Sequence, residues 1–286
     1  MNKLFGKLAA YLRELAYIFS VAKDLRSRST LLWHTARFHA ANAFNPTTMG
    51  GEPFTVNLAI RPGYDKTLLL RPFAGDLFVL YEVLLDRCYF VPRSLLSPNS
   101  VQVIIDCGAN VGITALFFAG RYPNAKIFCV EAHPENFEVL KQNTQSEARI
   151  IPINAAIVGQ STGSVRMTSD APAWGNKLSQ NDSGIEVPAI TISEICTQYG
   201  LEHIDLLKID IEGAEEQVFA HAEFLPRVNL GIIELHGDYS RRKFDIDLAK
   251  WDFSSSQAQP EAGLKMLTFR RKLELQHRSF APTLES

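Results

Sequence analysis

Apolar residues near the start of the chain recur with helical spacing. Residues 2–24 contain a stripe of Leu4, Leu8, Leu12, Leu15 and Phe19, which predicts an amphipathic helix. A second helix is predicted over residues 30–43. We expect the stripe to pack on the main domain, which the later part of the chain forms, or on a second copy of the chain. The alternative is a basic amphipathic helix that lies on an anionic membrane surface.

The pattern changes after Asn45-Pro46, a pair that breaks helices. Two strands, residues 54–60 and 67–70, are predicted on either side of a proline–glycine turn and would form a hairpin. A helix from residue 77 to about residue 88 follows, with Asp76 as the predicted N-cap. We expect this block to cover the main domain.

From residue 101 onward, short apolar runs alternate with helical patterns. Such repeated strand–helix units are typical of a doubly wound α/β fold with a mostly parallel sheet. The main strands are predicted at 101–105, 126–130, 150–155, 206–211 and 230–235, and a late strand at 265–271. The predicted organisation is a basic helical segment at 1–45, a hairpin-and-helix cover at 46–95 and an α/β domain at 96–286.

Charge is distributed unevenly, although the 286 residues carry a net charge of only −2. Residues 1–44 hold seven basic and two acidic side chains, a balance of +5, which leaves −7 for the rest. The overall balance gives no reason to expect nucleic acid as a partner. Scattered cysteines and the lack of an apolar run of about 18 residues favour a cytoplasmic protein. Residues 1–44 are the candidate for contact with the inner membrane surface or for homodimer packing.

The strand at 101–105 runs into a glycine loop with Asp106, Gly108, Asn110 and Gly112, and then into an apolar helix. The glycines allow a tight turn and a close approach by a ligand, and the helix start offers free N–H groups. The G-x-G-x-x-G spacing of a dinucleotide site is absent. An acid before the glycines would repel a pyrophosphate but attract a sulfonium or ammonium group.

Glu131 ends the next strand, where an acid can accept both ribose hydroxyls of an adenosine-type ligand. Together with Asp106 and the glycine turn, this position favours S-adenosylmethionine over NAD. A nicotinamide-dependent oxidoreductase remains the second hypothesis, and a non-catalytic cofactor-binding protein of the same fold the third.

Three motifs, IIDCGANVG, VEAHPENFEVLKQN and KIDIEGAE, stand in the order in which the FkbM family of S-adenosylmethionine-dependent methyltransferases has similar ones. The resemblance extends from about residue 66 to about residue 236. It implies a Rossmann-like methyltransferase fold and O-methylation of a hydroxyl on a small molecule, a polyketide or a sugar or glycan. It also implies that cofactor contacts come from Asp106, Gly108, Asn110 and Gly112 (aminoacyl end), Glu131 (ribose), Ala132, His133, Ala155 and Ala156 (adenine) and Asp210 (far side of the pocket).

Methyl transfer to a hydroxyl requires removal of the acceptor proton, and candidate groups lie at two predicted strand ends. They are Asp210, Glu212, Glu234 and His236. His236 is the predicted base because its unperturbed pKa lies near neutrality. Glu234 and His236 share a face if the strand continues, whereas Glu212 also fits the acid-rich first turn of a helix.

The same four residues permit, without requiring, a divalent cation such as magnesium. The loop at 169–181, with Trp174 and Lys177, is either a cover for the acceptor or a plain surface loop.

Overall fold

A computed structural model describes residues 2–44, 51–168, 184–257 and 266–272 of the protein. The chain begins with helices α1 (Asn2–Val21) and α2 (Leu25–Phe44), followed by an antiparallel hairpin of β1 (Phe54–Arg61) and β2 (Tyr64–Leu70) and the short helix α3 (Asp76–Leu80). Two helices and a hairpin thus occupy the stretches where the sequence predicts them, while the predicted division of the chain into three parts stays a prediction.

The remainder of the described chain alternates strands and helices. In order these are β3 (Val103–Cys107), α4 (Ile113–Arg121), β4 (Lys126–Glu131), α5 (Pro134–Thr144), β5 (Ile150–Asn154), β6 (Ala156–Ile157), β7 (Ser164–Met167), β8 (Ile185–Ile190), α6 (Ile192–Tyr199), β9 (Ile204–Ile209), α7 (Glu215–Ala220), β10 (Val228–Glu234), α8 (Arg241–Ala249), β11 (Phe253–Gln257) and β12 (Met266–Arg271).

The central sheet has seven strands in the order β11-β12-β10-β9-β3-β4-β5. The strands from β10 to β5 run parallel, while β12 pairs antiparallel with both β10 and β11. Chain order runs outward from β3 through β4 to β5 in one direction and from β9 to β10 in the other. The sheet therefore reverses its order between β3 and β9 and places their carboxyl ends side by side, as a doubly wound fold requires.

Both faces of the sheet are buried, since a hydrophobic core lies on each side. Successive residues of a strand point to opposite faces and so belong to different cores. On β3, Ile104 packs in a core with α4, α5 and the cover, whereas Ile105 packs in a core with α6, α7 and α8. Leu58 of β1 and Leu68 of β2 are fully buried in the first of these cores. The cover and the α/β part thus share one hydrophobic interior.

The cover helix differs from the predicted one. α3 ends at Leu80 and continues as a π-helical turn (Tyr81–Leu85), a feature that often occurs at functional sites. Asp76 does not cap the helix, because Gly75 occupies the N-cap position. Its carboxylate instead accepts hydrogen bonds from the backbone and the guanidinium of Arg71. An acid before a helix is a cap signal in the sequence, but here the carboxylate pairs with Arg71, five positions earlier, instead of capping the helix.

The apolar stripe of α1 is largely on the outside. Leu8, Leu12 and Phe19 are exposed, whereas α1 is anchored to the rest of the protein through Ile18 and Val21. The prediction that the stripe packs on the main domain is therefore wrong for these three residues. Helical periodicity identifies an apolar face but not what covers it.

The last two described strands are β11 and β12. The serine-rich run after α8 forms the strand β11, which the sequence did not predict, and β12 confirms the predicted late strand. The loop at 169–181, for which a cover over the acceptor and a plain surface loop were both considered, lies outside the described residues.

Among the described residues, the helices lack the combination of length and apolar character that a membrane span requires.

Candidate active site

A cleft with a volume of about 360 Å³ lies at the carboxyl ends of the parallel strands. Ligands of open α/β sheets bind at this edge, next to the reversal of strand order. Its walls include Gly108, Asn110, Glu131, Ala132, Ala155, Ala156, Asp210, Glu212, Glu234 and His236 from the sheet loops, and Phe78, Glu82 and Tyr89 from the cover segment. Two halves can be distinguished by their chemistry.

The first half, which we call the donor half, is built on the glycine loop. Gly108 has a φ of 80°, and a Cβ added there would lie 1.8 Å from the carbonyl oxygen of Asp210. Only glycine therefore lets the ends of β3 and β9 approach this closely. The N–H of Gly108 donates to the carbonyl of Val130 at 2.9 Å, which ties the loop to β4. Gly112, with a φ of 86°, starts α4.

Asn110 and Glu131 present acceptor atoms to this half. Asn110 has a positive φ of 48°, and its buried Oδ1 has no hydrogen-bond partner among the residues that the structure describes. The Glu131 carboxylate accepts the backbone N–H groups of Asn110 at 2.8 Å and His133 at 2.9 Å. Burial raises the pKa of Glu131, and these hydrogen bonds oppose that shift. A carboxylate has about four lone-pair sites, so Glu131 can accept further hydroxyl donors.

A buried lysine lies behind the glycine loop. Lys208 on β9 is 1% exposed, and its Nζ lies 3.2 Å from Asp106 Oδ1 and 3.8 Å from Asp210 Oδ2. It also donates to the carbonyl oxygen of Gly108 at 2.6 Å. Burial alone would lower the pKa of Lys208, but the two carboxylates raise it above its usual range, so the ammonium stays charged. The charge of Asp106 is thus paired inside the protein, which corrects the argument that it attracts a cationic ligand directly.

The second half, which we call the acceptor half, gathers carboxylates around His236. Its Nε2 lies 3.7 Å from Asp210 Oδ1, 3.7 Å from Glu212 Oε2 and 3.9 Å from Glu234 Oε1. The strand β10 ends at Glu234, so the continued strand that the sequence argument assumed is not present. Both side chains nevertheless line the cleft.

Glu215 holds the other nitrogen of this imidazole. Its Oε1 lies 2.8 Å from His236 Nδ1, and the Glu215 side chain is completely buried. Burial would lower the pKa of His236, but the hydrogen bond and charge of Glu215, followed by Asp210 and Glu212, raise it to about 9. With Nδ1 donating to Glu215, Nε2 is the nitrogen that faces the cleft.

The cover contributes two polar side chains to the acceptor half. Tyr89 donates its hydroxyl to Asp210 Oδ2 at 2.6 Å. Glu82 projects from the π-helical turn, where burial and then the charges of Glu234 and Asp210 raise its pKa to about 7. Burial and Asp210 likewise raise the pKa of Glu212 to about 7. The acceptor half therefore holds more negative charge than it has partners for within the described residues, and a donor or cationic ligand would stabilise it.

This half also has the geometry of a cation site. Ligand atoms of Asp210, Glu212 and His236 all lie within 4.8 Å of one another. Carboxylate oxygens suit magnesium, and an imidazole held by a carboxylate is a common metal ligand.

Most residues selected from the sequence meet at this cleft. They are Gly108, Asn110, Glu131, Ala132, Ala155, Ala156, Asp210, Glu212, Glu234 and His236. The described lining does not include Asp106, Gly112 or His133. Asp106 is buried against Lys208, and Gly112 packs near Thr144. The backbone N–H of His133 donates a hydrogen bond to Glu131.

Sequence reasoning did not single out Lys208, Tyr89, Glu82 or Glu215. Lys208 carried a usable signal, since a lysine inside an apolar strand is rarely buried unless it is paired. Glu215 had a simpler explanation as an acid in the first turn of a helix. Tyr89 and Glu82 gave no signal, because the cover and β9 come together only in the folded chain.

The fold and this cleft define a Rossmann-like α/β protein with a ligand-sized cleft at the carboxyl edge of its sheet. The family model of the methyltransferase FkbM domain matches residues 106–262. The chain belongs to the FkbM methyltransferase family.

Three curated relatives illustrate its range. Methyltransferase sdnD of Sordaria araneosa is 27% identical over 66% of this chain and 80% of its own. The 31-O-demethyl-FK506 methyltransferase FkbM of Streptomyces tacrolimicus is 26% identical over 57% of this chain and 76% of its own. The 2-O-methyltransferase NoeI of Sinorhizobium fredii is 32% identical over 41% of this chain and 56% of its own.

A solved precorrin-6y C5,15-methyltransferase from Geobacter metallireducens is also similar. It has a TM-score of 0.40 and 13% identity, over 63% of this chain and 85% of that chain. A likeness at this level carries no information about the acceptor.

Proposed function

We propose that the protein transfers a methyl group from S-adenosylmethionine to a hydroxyl of a small molecule, a polyketide or a sugar or glycan. The observation that carries the proposal is the imidazole of His236, which is oriented by buried Glu215 and lines the same cleft as Glu131. Two relatives, a 31-O-demethyl-FK506 methyltransferase and a 2-O-methyltransferase, are named for transfer to oxygen, which supports the proposal.

The donor half suits this cofactor. When bound, S-adenosylmethionine supplies an electrophilic methyl group on a sulfonium. The unpaired Oδ1 of Asn110 offers an acceptor to the ammonium group of the aminoacyl end. Glu131 offers its remaining lone pairs to the ribose hydroxyls, and small side chains at Ala155 and Ala156 leave room for a flat base.

His236 is the base in this proposal. Its Nε2 takes the proton of the acceptor hydroxyl, while Glu215 keeps the ring in the orientation that leaves Nε2 free. The imidazolium that results is stabilised by Glu215, Asp210 and Glu212, whose oxygens surround it. Tyr89 orients Asp210 through its hydroxyl.

The clustering of Asp210, Glu212 and His236 favours a second route. A magnesium ion on these residues would polarise the acceptor oxygen as a Lewis acid, and His236 would be a ligand instead of the base. Treatment with a chelator separates the routes: the base route keeps its turnover, whereas the metal route loses it and regains it when magnesium is added.

Calorimetric titration with S-adenosylhomocysteine and with NAD tests the cofactor. We expect S-adenosylhomocysteine to bind and NAD not to bind. Glu131→Ala should weaken S-adenosylhomocysteine by roughly 10- to 100-fold, the loss of charge-assisted hydrogen bonds of about 1.5–3 kcal/mol. Glu135→Ala, an exposed acid on α5, is the matched control and should leave the affinity unchanged. Micromolar NAD binding without S-adenosylhomocysteine binding would refute the cofactor assignment.

A methyl-transfer screen with labelled cofactor tests the acceptor. Hydroxylated metabolites and glycans form one arm, and hydroxylated polyketides form the other. Label that becomes stably attached to oxygen supports the proposal, and label found only on nitrogen or carbon contradicts it.

A further inference from the structure

Large apolar side chains are exposed preferentially on the first two helices. Nine such side chains are exposed in the described chain, and the five on α1 and α2 are Leu8, Leu12, Phe19, Leu25 and Trp33. We call these five residues the N-terminal face. Their exposed fractions run from 52% to 79%, so most of their surface contacts water. Concentrated exposure of this kind marks an interaction surface more often than scattered single residues do.

The three residues on α1 lie on one side of the helix. At roughly 100° per residue, Leu8, Leu12 and Phe19 lie within about 40° of one another around the helix axis. Ile18 and Val21 point to the other side, where they are buried in the protein core. The helix therefore already has its packing face, and the stripe is a second apolar surface that the described chain leaves uncovered.

The segment that carries this face is positively charged. Residues 1–44 carry a balance of +5, whereas the rest of the chain carries −7. Arg13 and Lys23 form ion pairs with Asp86 and Asp65 of the cover segment. Counting these two acids with the segment still leaves +3.

We propose that the N-terminal face binds the surface of an anionic lipid membrane. An apolar helical stripe on a basic segment is the combination that places a helix in the headgroup region, with its apolar side chains in the acyl boundary. A second copy of the chain is a poorer occupant. A symmetric dimer would bring the same face together from both copies, so two positively charged segments would meet. The face is independent of the cleft, and the proposal does not depend on the methyl-transfer reaction.

Co-sedimentation of the full chain with lipid vesicles tests this assignment. Vesicles with phosphatidylglycerol in phosphatidylcholine should bind at least about fivefold more protein than vesicles of phosphatidylcholine alone. The bound fraction should fall as the salt concentration rises, because screening weakens the attraction between surface charges. Failure to sediment with anionic vesicles, or equal sedimentation with both kinds, would overturn the proposal.

A charge-introducing double variant tests the stripe itself. Leu12→Glu with Phe19→Glu should lower the bound fraction by about tenfold or more. Both side chains are more than half exposed, so an unchanged melting temperature is expected. Ile246→Glu on α8 is the matched control, because Ile246 is 55% exposed, as Leu12 is, but lies outside the N-terminal face. Equal loss of binding in the control would overturn the assignment.

Measurement of the molar mass in solution tests whether a second copy of the chain covers the N-terminal face instead. A monomer that binds anionic vesicles supports the lipid assignment. A dimer that the double variant converts to monomer, with no vesicle binding by the parent chain, would assign the face to a second copy and overturn the proposal.

Discussion

The donor half and the acceptor half of the cleft surround their buried carboxylates with different groups. In the donor half, burial raises the pKa of Glu131, but two backbone N–H groups donate to it and oppose that shift. In the acceptor half, burial and then neighbouring carboxylates both raise the pKa values of Glu82 and Glu212, to about 7. The fold itself supplies hydrogen-bond donors to the carboxylate of the donor half. The carboxylates of the acceptor half would be stabilised by a bound donor or cationic ligand.

The two halves also differ in how the chain builds them. The donor half uses β3 and β4, which are consecutive along the chain and adjacent in the sheet. The acceptor half joins β9 and β10 to the cover, and the hydrogen bond from Tyr89 to Asp210 spans 121 positions. Local motifs therefore describe the donor half well and the acceptor half poorly.

Removal of His236 tests the acceptor half most directly. His236→Ala should lower turnover by about 10²- to 10⁴-fold, the usual contribution of a general base. Affinity for S-adenosylhomocysteine should change little, because that ligand is assigned to the other half. His203→Ala, on an exposed histidine, is the control and should keep full turnover. Undiminished turnover in His236→Ala would remove this residue from the reaction.

Lys208 joins the two halves and gives the next largest effect. Lys208→Met leaves Asp106 without its buried cation, and loss of one partner of a buried ion pair costs about 3–5 kcal/mol. The free energy of unfolding, measured by urea denaturation, should fall by that amount. Lys243→Met removes an exposed pair with Glu216 and should cost at most about 1 kcal/mol. Similar losses in both variants would show that the buried pair has no special role in stability.

The sequence was most informative where the residues of a single strand are enough to predict that the strand is buried. Apolar runs such as that of β3 are buried on both faces, so strand order along the chain and the α/β class followed from pattern alone. The glycine loop and Glu131 could be selected because each sits at the end of such a strand.

What the sequence could not supply depends on distant partners. The pairing of Lys208 with Asp106 requires that β9 lies beside β3, which is a property of the sheet order. The exposed stripe on α1 and the π-helical turn that carries Glu82 depend on how the cover packs. Glu215 looked like an ordinary helix-start acid until the fold placed His236 beside it.

The smallest predicted effect concerns the pH at which His236 becomes a base. The imidazole must be neutral to accept a proton, and its pKa is raised to about 9, so kcat/KM should rise with pH up to that region. Glu215→Gln keeps the shape but removes the charge that raises this pKa. The ascending limb should therefore move to lower pH by about one unit, equivalent to about 1.4 kcal/mol.

A purely structural role of Glu215 would lower the rate equally at every pH and leave the position of the limb unchanged. Glu216→Gln, next to it and half exposed, should shift neither the limb nor the rate. A limb that stays in place in Glu215→Gln would mean that Glu215 does not set the pKa of His236. The raised pKa of His236 would then be due to Asp210 and Glu212, whose oxygens lie 3.7 Å from Nε2.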